Sequence, residues 1–244
     1  KGFENRAAWK VMIPHDKDAK IEGLEVFQHY LAAEIRKNGL VEIKVLGLRD
    51  GKLNTISFPE PVYTAYTSGT PEYNSTNLRY GYTSLNRPAS VYDYDMESGK
   101  STLLKQQEIP GGFHPDDYTV ERIWATATDG VKVPMSVVYK KSLKKDGSNP
   151  ALLYSYGSYG ASSDAYFISS FYSLIDRGFV FAIAQIRGGS DMGEQWYEDG
   201  KLLNKKNTFT DFIACGEKLI ADQLTTSSKL AIMGGSAGGL LMGA

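Results

Sequence analysis

The sequence has few of the residues that mark several common classes of protein. Only one of its 244 residues is a cysteine, Cys215, so it can form no internal disulfide, which is typical of a reducing compartment. No apolar run approaches the roughly 20 residues that a membrane span needs. The net charge of −1 gives no reason to expect nucleic acid or an anionic membrane as a partner.

Metal and nucleotide signatures are missing as well. No cluster of cysteine and histidine has metal-ligand spacing, and no P-loop or dinucleotide-binding fingerprint occurs. We therefore expect no metal and no cofactor, no nucleic-acid partner and no membrane span. A cytoplasmic location is the expectation; a periplasmic one stays open because the sequence does not begin with Met and a signal peptide could have preceded it.

A glycine-rich serine motif stands near the end of the sequence. Residues 234–239 read GGSAGG and follow a short apolar run, residues 230–233. The bare G-x-S-x-G pattern arises by chance in about one chain of this length in ten. The preceding strand-like run and the extra glycines Gly235 and Gly239 favour a nucleophile elbow, in which a sharp strand-to-helix turn exposes the serine. Ser236 is thus the candidate nucleophile.

A serine hydroxyl needs a base, usually a histidine oriented by a carboxylate. In the α/β-hydrolase order both residues follow the serine, and only residues 240–244 follow this motif. We therefore expect the chain to be the front part of a serine hydrolase, cut just past its nucleophile. Triads with other chain orders exist, so His15, His29 and His114 remain alternatives. Structural roles are favoured for His29, in a strand-like stretch, and His114, in a hinge.

An oxyanion hole requires donors aimed at the developing negative charge. The backbone N–H of Ala237, directly after the serine, is the expected first donor. The second should come from the loop after an earlier strand, here residues 154–160, which read YSYGSYG. The hydroxyl of Tyr156 or of Tyr159 could serve, and a tyrosine-rich packing loop is the alternative.

The two halves of the chain have different patterns. Residues 20–109 read as short antiparallel strands with turn signals such as Asn38-Gly39, which suits a sandwich or propeller blades. Residues 109–115 (IPGGFHP) read as a boundary. After a hairpin around Asp129-Gly130, strands at 151–154, 179–184 and 230–233 alternate with helices at 167–176 and 208–221, which indicates an α/β layer structure.

Two further segments are given structural interpretations. The loop at residues 187–193 (RGGSDMG) is expected to be structural, with Arg187 paired to a carboxylate such as Asp191 or Glu194. The lysine-rich stretch at residues 201–206 is expected to be a solvated surface. Cys215, in a predicted helix, is expected to fill the core.

Four motifs together resemble the prolyl oligopeptidase family, and within it the oligopeptidase B branch. They are YGSYG at 156–160, IRGG at 186–189, QWYEDGK at 195–201 and GGSAGG at 234–239. The likeness continues upstream through residues 121–127 and 129–134 and, more loosely, residues 38–40. Their common order and spacing make the resemblance specific.

The resemblance implies a fold and a division of the chain. Residues 1–115 would be the last blades of a seven-bladed β-propeller that screens out large folded substrates. Residues 116–244 would be the amino-terminal part of an α/β-hydrolase peptidase domain, truncated after the nucleophile elbow. The triad aspartate and histidine, and acidic residues that bind a basic P1 side chain, would lie beyond Ala244.

The resemblance also implies roles for residues. Ser236 would be the nucleophile, the Ala237 amide and the Tyr156 hydroxyl would form the oxyanion hole, and Tyr159 would lie near the bound P1 residue. Ala237, where prolyl oligopeptidase carries Asn, favours the branch that cleaves short peptides after Arg and Lys. Ser155 departs mildly from the glycine more usual there. The alternatives are a prolyl- or acylaminoacyl-specific peptidase of the same family and a non-catalytic propeller-hydrolase binding module.

Overall fold

The architecture is taken from a computed structural model, which describes residues 4–244; residues 1–3 of the expected first domain lie outside that range. The strands are β1 (Ala19–Val26), β2 (Tyr30–Lys37), β3 (Leu40–Gly47), β4 (Leu53–Thr55), β5 (Thr64–Thr67), β6 (Asn77–Ser84), β7 (Arg87–Asp95), β8 (Lys100–Gln106), β9 (Tyr118–Thr126), β10 (Lys132–Lys140), β11 (Ala151–Tyr154), β12 (Val180–Ala184) and β13 (Leu230–Met233). The α-helices are α1 (Tyr172–Ile175), α2 (Glu194–Glu198), α3 (Lys206–Ala221) and α4 (Ala237–Gly243). Within the described range, no helix has both the length and the apolar character needed to cross a membrane.

Strands β1 to β8 form two antiparallel sheets of four strands each, in the orders β1-β2-β3-β4 and β5-β6-β7-β8. The hairpin between β2 and β3 turns at Asn38 and Gly39, whose φ values of 52° and 76° suit residues that tolerate the left-handed region. Burial alternates along β3, as expected for a strand with one face in a core. The sheets share a core of Phe27, Ala32, Ile43, Val45, Ile56, Ala65, Leu78, Tyr80, Tyr82, Tyr94 and Met96.

The third sheet has the order β13-β11-β12-β10-β9. Strand β11 runs parallel to both β12 and β13, with Tyr154 opposite Met233, whereas β9 and β10 form an antiparallel hairpin. Because parallel strands end at the same edge of a sheet, the segments that follow β11 and β13 leave it side by side. The central strand β12 is buried along its whole length, and β13 is an edge strand on which Ile232 is 47% exposed.

Helix α3 packs on this sheet and confirms the expected helix at residues 208–221, beginning two residues earlier. Cys215 on α3 is buried in the core, and burial raises the pKa of its thiol, consistent with the packing role expected of it. The expected helix at residues 167–176 is much shorter, with one 3₁₀ turn followed by the four residues of α1. The segment before it is not helical, since Ile168 is extended (φ −123°, ψ 99°), and the Phe167 N–H donates to Thr83 Oγ1 in the other half of the chain (3.2 Å).

The first sheet and the third are joined by buried polar contacts. Arg36 on β2, 4% exposed, donates to Glu22 on β1 and makes a two-point ion pair with Asp164, which follows β11 (2.6 and 3.0 Å). Gln185 Nε2 donates to the carbonyl of Gly39 at 3.0 Å. The expected boundary between residues 115 and 116 falls between β8 and β9, in the 3₁₀ turn Pro115–Asp117.

A buried acid beside this interface makes the stability of the fold depend on pH. Asp191 is 1% exposed and accepts the Ser163 N–H at 2.8 Å, and burial raises the pKa of its carboxyl from 3.8 to about 7. The native state therefore holds this proton more tightly than the unfolded chain does, and the group's contribution to stability is lost as pH rises from about 4 to about 7.

The free energy of unfolding of Asp191→Asn, relative to that of the parent protein, should therefore increase as pH rises from about 4 to about 7. Denaturant unfolding at about pH 4.5 and 7.5 measures the difference. The matched control is Glu217→Gln, which makes the corresponding acid-to-amide change on an exposed helical residue. A gap between parent and Asp191→Asn that stays constant with pH would contradict the assignment.

Candidate active site

Ser236 occupies a strained turn between a strand and a helix. Strand β13 ends at Met233 and α4 begins at Ala237, leaving three residues for the reversal. Ser236 has φ 53° and ψ −120°, a conformation that L-residues rarely adopt, and it is exposed. A strained, exposed serine at the carboxyl end of a sheet strand has the geometry of a nucleophile elbow.

Two glycines make this turn sterically possible. A Cβ on Gly234 would lie 2.6 Å from the carbonyl oxygen of Gly238, and one on Gly238 would lie 3.0 Å from the carbonyl oxygen of Ser155. Gly235 and Gly239 face open space, with no atom within 4 Å of a built Cβ. The close approaches therefore belong to the two glycines of the G-x-S-x-G pattern, and the additional pair, which strengthened the sequence prediction, is not required by packing.

This difference predicts opposite outcomes for neighbouring substitutions. Gly234→Ala forces backbone atoms apart and should lower the free energy of unfolding by about 1–3 kcal/mol. Gly235→Ala, one residue along the same turn, should change it by less than about 0.5 kcal/mol. Denaturant midpoints of the two variants measure the contrast, and equal losses would show that the turn is not packed as described.

The loop after β11 lies directly beside the elbow. The Ser155 N–H donates to the carbonyl of Met233 at 3.3 Å, and a Cβ on Gly238 would lie 3.6 Å from the Cα of Tyr156. The Ala237 N–H, in the first turn of α4, donates no backbone hydrogen bond within residues 4–244. Tyr156 and Ala237, both predicted as oxyanion donors, are thus brought next to the same turn as Ser236.

The two tyrosines of this loop have different surroundings. Tyr156 is partly buried and borders a cavity of about 510 Å³, together with Tyr154, Asp164, Tyr166 and Met233. Tyr159 has φ 58°, is 78% exposed, and its ring centroid lies 6.5 Å from that of Tyr156. Tyr156 is the better placed of the two to present a fixed hydroxyl, whereas Tyr159 offers an aromatic face at the rim.

The loop motif YGSYG packs through its glycines against two other recognised motifs, IRGG and QWYEDGK. A Cβ on Gly188 would overlap the carbonyl of Gly157, and a Cβ on Gly200 would overlap the backbone of Gly188. Thr208 Oγ1 on α3 bonds to the carbonyls of Arg187 (2.7 Å) and Gly200 (3.2 Å). Gly188 and Gly200 have to be glycines because the neighbouring backbones leave no room for a side chain.

Arg187 has a structural role, but its predicted partners were wrong. Its guanidinium makes a two-point ion pair with Asp211 on α3 (2.9 and 2.6 Å) and a third bond to Asp129 (2.6 Å), instead of pairing with Asp191 or Glu194. These bonds raise the pKa of Arg187 and lower that of Asp129. The pairing joins the turn after β9 to α3, and no local spacing in the sequence could indicate it.

No base for Ser236 is found among residues 4–244. Ser236 Oγ has no hydrogen-bond partner in that range. His29 Nε2 contacts the Arg49 guanidinium at 2.6 Å, His114 precedes a 3₁₀ turn, and His15 lies in the segment against the first sheet. In the same range, no group of three or more His, Cys, Asp or Glu side chains could hold a metal ion.

Comparisons with known proteins match both halves of the chain. The model of the prolyl oligopeptidase family matches residues 165–244, and that of the prolyl oligopeptidase N-terminal β-propeller domain matches residues 3–107. Dipeptidyl aminopeptidase BI of Pseudoxanthomonas mexicana is 44% identical over 98% of the chain and 33% of its own length. Protease 2 of Moraxella lacunata is 40% identical over 96% of the chain and 34% of its own length.

A solved structure gives the same result. Oligopeptidase B from Trypanosoma brucei, in a closed form with covalently bound antipain, superposes with a TM-score of 0.88 at 42% identity, covering 95% of this chain and 34% of that one. The chain spans about a third of the length of the curated relatives it matches. The expected fold, propeller blades followed by the start of an α/β-hydrolase domain, is confirmed. The chain belongs to the prolyl oligopeptidase family of serine peptidases.

Proposed function

We propose that this chain supplies the nucleophile side of a serine oligopeptidase that cleaves short peptides after Arg or Lys. The observation that carries the proposal is the strained turn that exposes Ser236 beside the loop bearing Tyr156. The relatives are about three times as long, and we assign the triad histidine and aspartate to sequence outside these 244 residues. The remaining propeller blades, proposed likewise, would restrict entry to short peptides.

The proposed reaction passes through an acyl-enzyme. Ser236 Oγ attacks the scissile carbonyl carbon as a histidine takes its proton, and the Ala237 N–H and the Tyr156 hydroxyl donate to the resulting oxyanion. The C–N bond then breaks, the amine leaves with the proton from the histidine, and an ester remains on Ser236. Water, deprotonated by the same histidine, hydrolyses the ester. The Trypanosoma brucei relative holds antipain covalently, which supports a covalent intermediate in the proposed reaction.

The preference for a basic P1 residue rests on similarity to the oligopeptidase B branch, including Ala237 after the serine. Tyr159, exposed at the rim of the site, is proposed to contact the P1 residue through its ring. The acidic groups that would pair with a basic side chain are assigned, like the triad partners, to sequence outside this chain.

Substrate competition tests the proposal in the full-length enzyme. We expect kcat/KM for matched peptide substrates with Arg or Lys at P1 to exceed that for Pro at P1 by about 10² or more. Faster cleavage after Pro, or of blocked amino termini, would replace the proposal with the prolyl- or acylaminoacyl-specific alternative. Binding of peptides without turnover would indicate a non-catalytic module.

A further inference from the structure

Lys205 packs against the loop that carries Tyr156. It lies between the 3₁₀ turn Leu202–Asn204 and helix α3, in the lysine-rich stretch that the sequence analysis assigned to solvated surface. That prediction is wrong for Lys205, which is half-buried and donates from Nζ to the carbonyl of Gly157 (2.5 Å) and to Ser158 Oγ (2.7 Å).

The charge of Lys205 has no carboxylate partner among the described residues. Its neighbours behave differently, because Lys201 pairs with Glu198 and Lys206 is exposed with no side-chain bond in that range. The ammonium of Lys205 is partly removed from water by its half-buried position, and this burial lowers its pKa. An ammonium held in this way bonds strongly to the oxygens it does reach, and both belong to the Tyr156 loop.

Those two oxygens belong to a stretch of the loop with an unusual backbone. Gly157 has φ 65° and Tyr159 has φ 58°, so residues in the left-handed region flank Ser158 on both sides. The Gly157 carbonyl is also pressed against Gly188. Lys205 therefore holds the Gly157–Ser158 peptide unit, the second peptide unit after Tyr156.

We propose that Lys205 is a positioning residue of the proposed peptidase site, holding the Gly157–Ser158 peptide so that the Tyr156 hydroxyl is directed at the oxyanion formed over Ser236. The inference depends on the proposed function, since it requires Tyr156 to act as an oxyanion donor. A shift of about 1 Å in such a group lowers the rate of the chemical step by up to about 10²-fold.

The first test compares Lys205→Met with Lys206→Met in the full-length enzyme. Rates are expressed per active site titrated with a covalent inhibitor, so that unfolded protein does not count. We expect Lys205→Met to lower kcat by about 10- to 100-fold with KM within about twofold, Lys205→Arg to recover part of the loss, and Lys206→Met to have no effect. Unchanged kcat per titrated site in Lys205→Met would overturn the proposal and leave Lys205 as a structural residue.

A double-mutant cycle with Tyr156→Phe separates this proposal from the proposed function. If Lys205 acts through the Tyr156 hydroxyl, adding Lys205→Met to Tyr156→Phe should lower kcat little further. If the kcat losses of the two single variants instead multiply in the double variant, Lys205 does not act through Tyr156, and Tyr156 remains a donor. A Tyr156→Phe variant with normal kcat would instead contradict the oxyanion assignment itself, and the role of Lys205 with it.

Discussion

Ser236→Ala is expected to reduce the peptidase activity of the full-length enzyme to background, a loss on the order of 10⁶ in kcat. The hydroxyl is the only atom of this side chain that could attack a carbonyl, and the strained turn leaves Ser236 exposed. Alanine removes it while keeping the backbone free of new contacts. Turnover of an Arg-containing peptide, measured alongside the unfolding midpoint, checks the prediction.

The matched control is Ser227→Ala, which removes a hydroxyl from an exposed loop serine with no side-chain partner in the described range. It should retain full activity. If Ser236→Ala also kept its activity, another group would have to be the nucleophile, and the strained turn would lose its proposed purpose.

Tyr156→Phe should lower kcat by about 10²–10³-fold, the usual cost of losing one oxyanion donor. The change removes a single oxygen atom and leaves the ring that borders the cavity beside the elbow. Because the hydrogen bond strengthens as negative charge develops, kcat should fall while KM changes little. Steady-state kinetics on one peptide substrate measures both.

Tyr159→Phe is the control within the same loop. Tyr159 is exposed, and its proposed contact with substrate is through the ring, which Phe retains. We expect its kcat to stay within about twofold of the parent value. Equal losses in the two variants would point to a general disturbance of the loop, and a normal kcat for Tyr156→Phe would make Tyr156 a packing residue.

The sequence predicted what depends on local pattern. The hairpin at Asn38-Gly39 and the strand at residues 230–233 are confirmed in the fold, and of the glycines around Ser236 only Gly234 and Gly238 are required by close packing. The family resemblance added the propeller architecture of the first half, which the pattern alone had left open between a sandwich and a propeller.

The predictions that failed concern contacts between distant segments. The partners of Arg187 are 58 residues before it and 24 after it. The helix expected at residues 167–176 starts late, because Ile168 is extended next to Phe167, whose N–H donates to Thr83, 84 residues away. The sequence pattern predicted Lys205 to be one of several surface lysines. In the fold it donates to the carbonyl of Gly157, 48 residues earlier. Each of these depends on tertiary packing, which no short pattern of residues records.

Covalent labelling tests the central claim most directly. The full-length enzyme is treated with a fluorophosphonate, which reacts with activated serines, and the adduct is located by peptide mapping and mass spectrometry. The account predicts a single adduct on Ser236 that forms in step with the loss of peptidase activity. An adduct on another residue, or loss of activity with Ser236 unmodified, would contradict it.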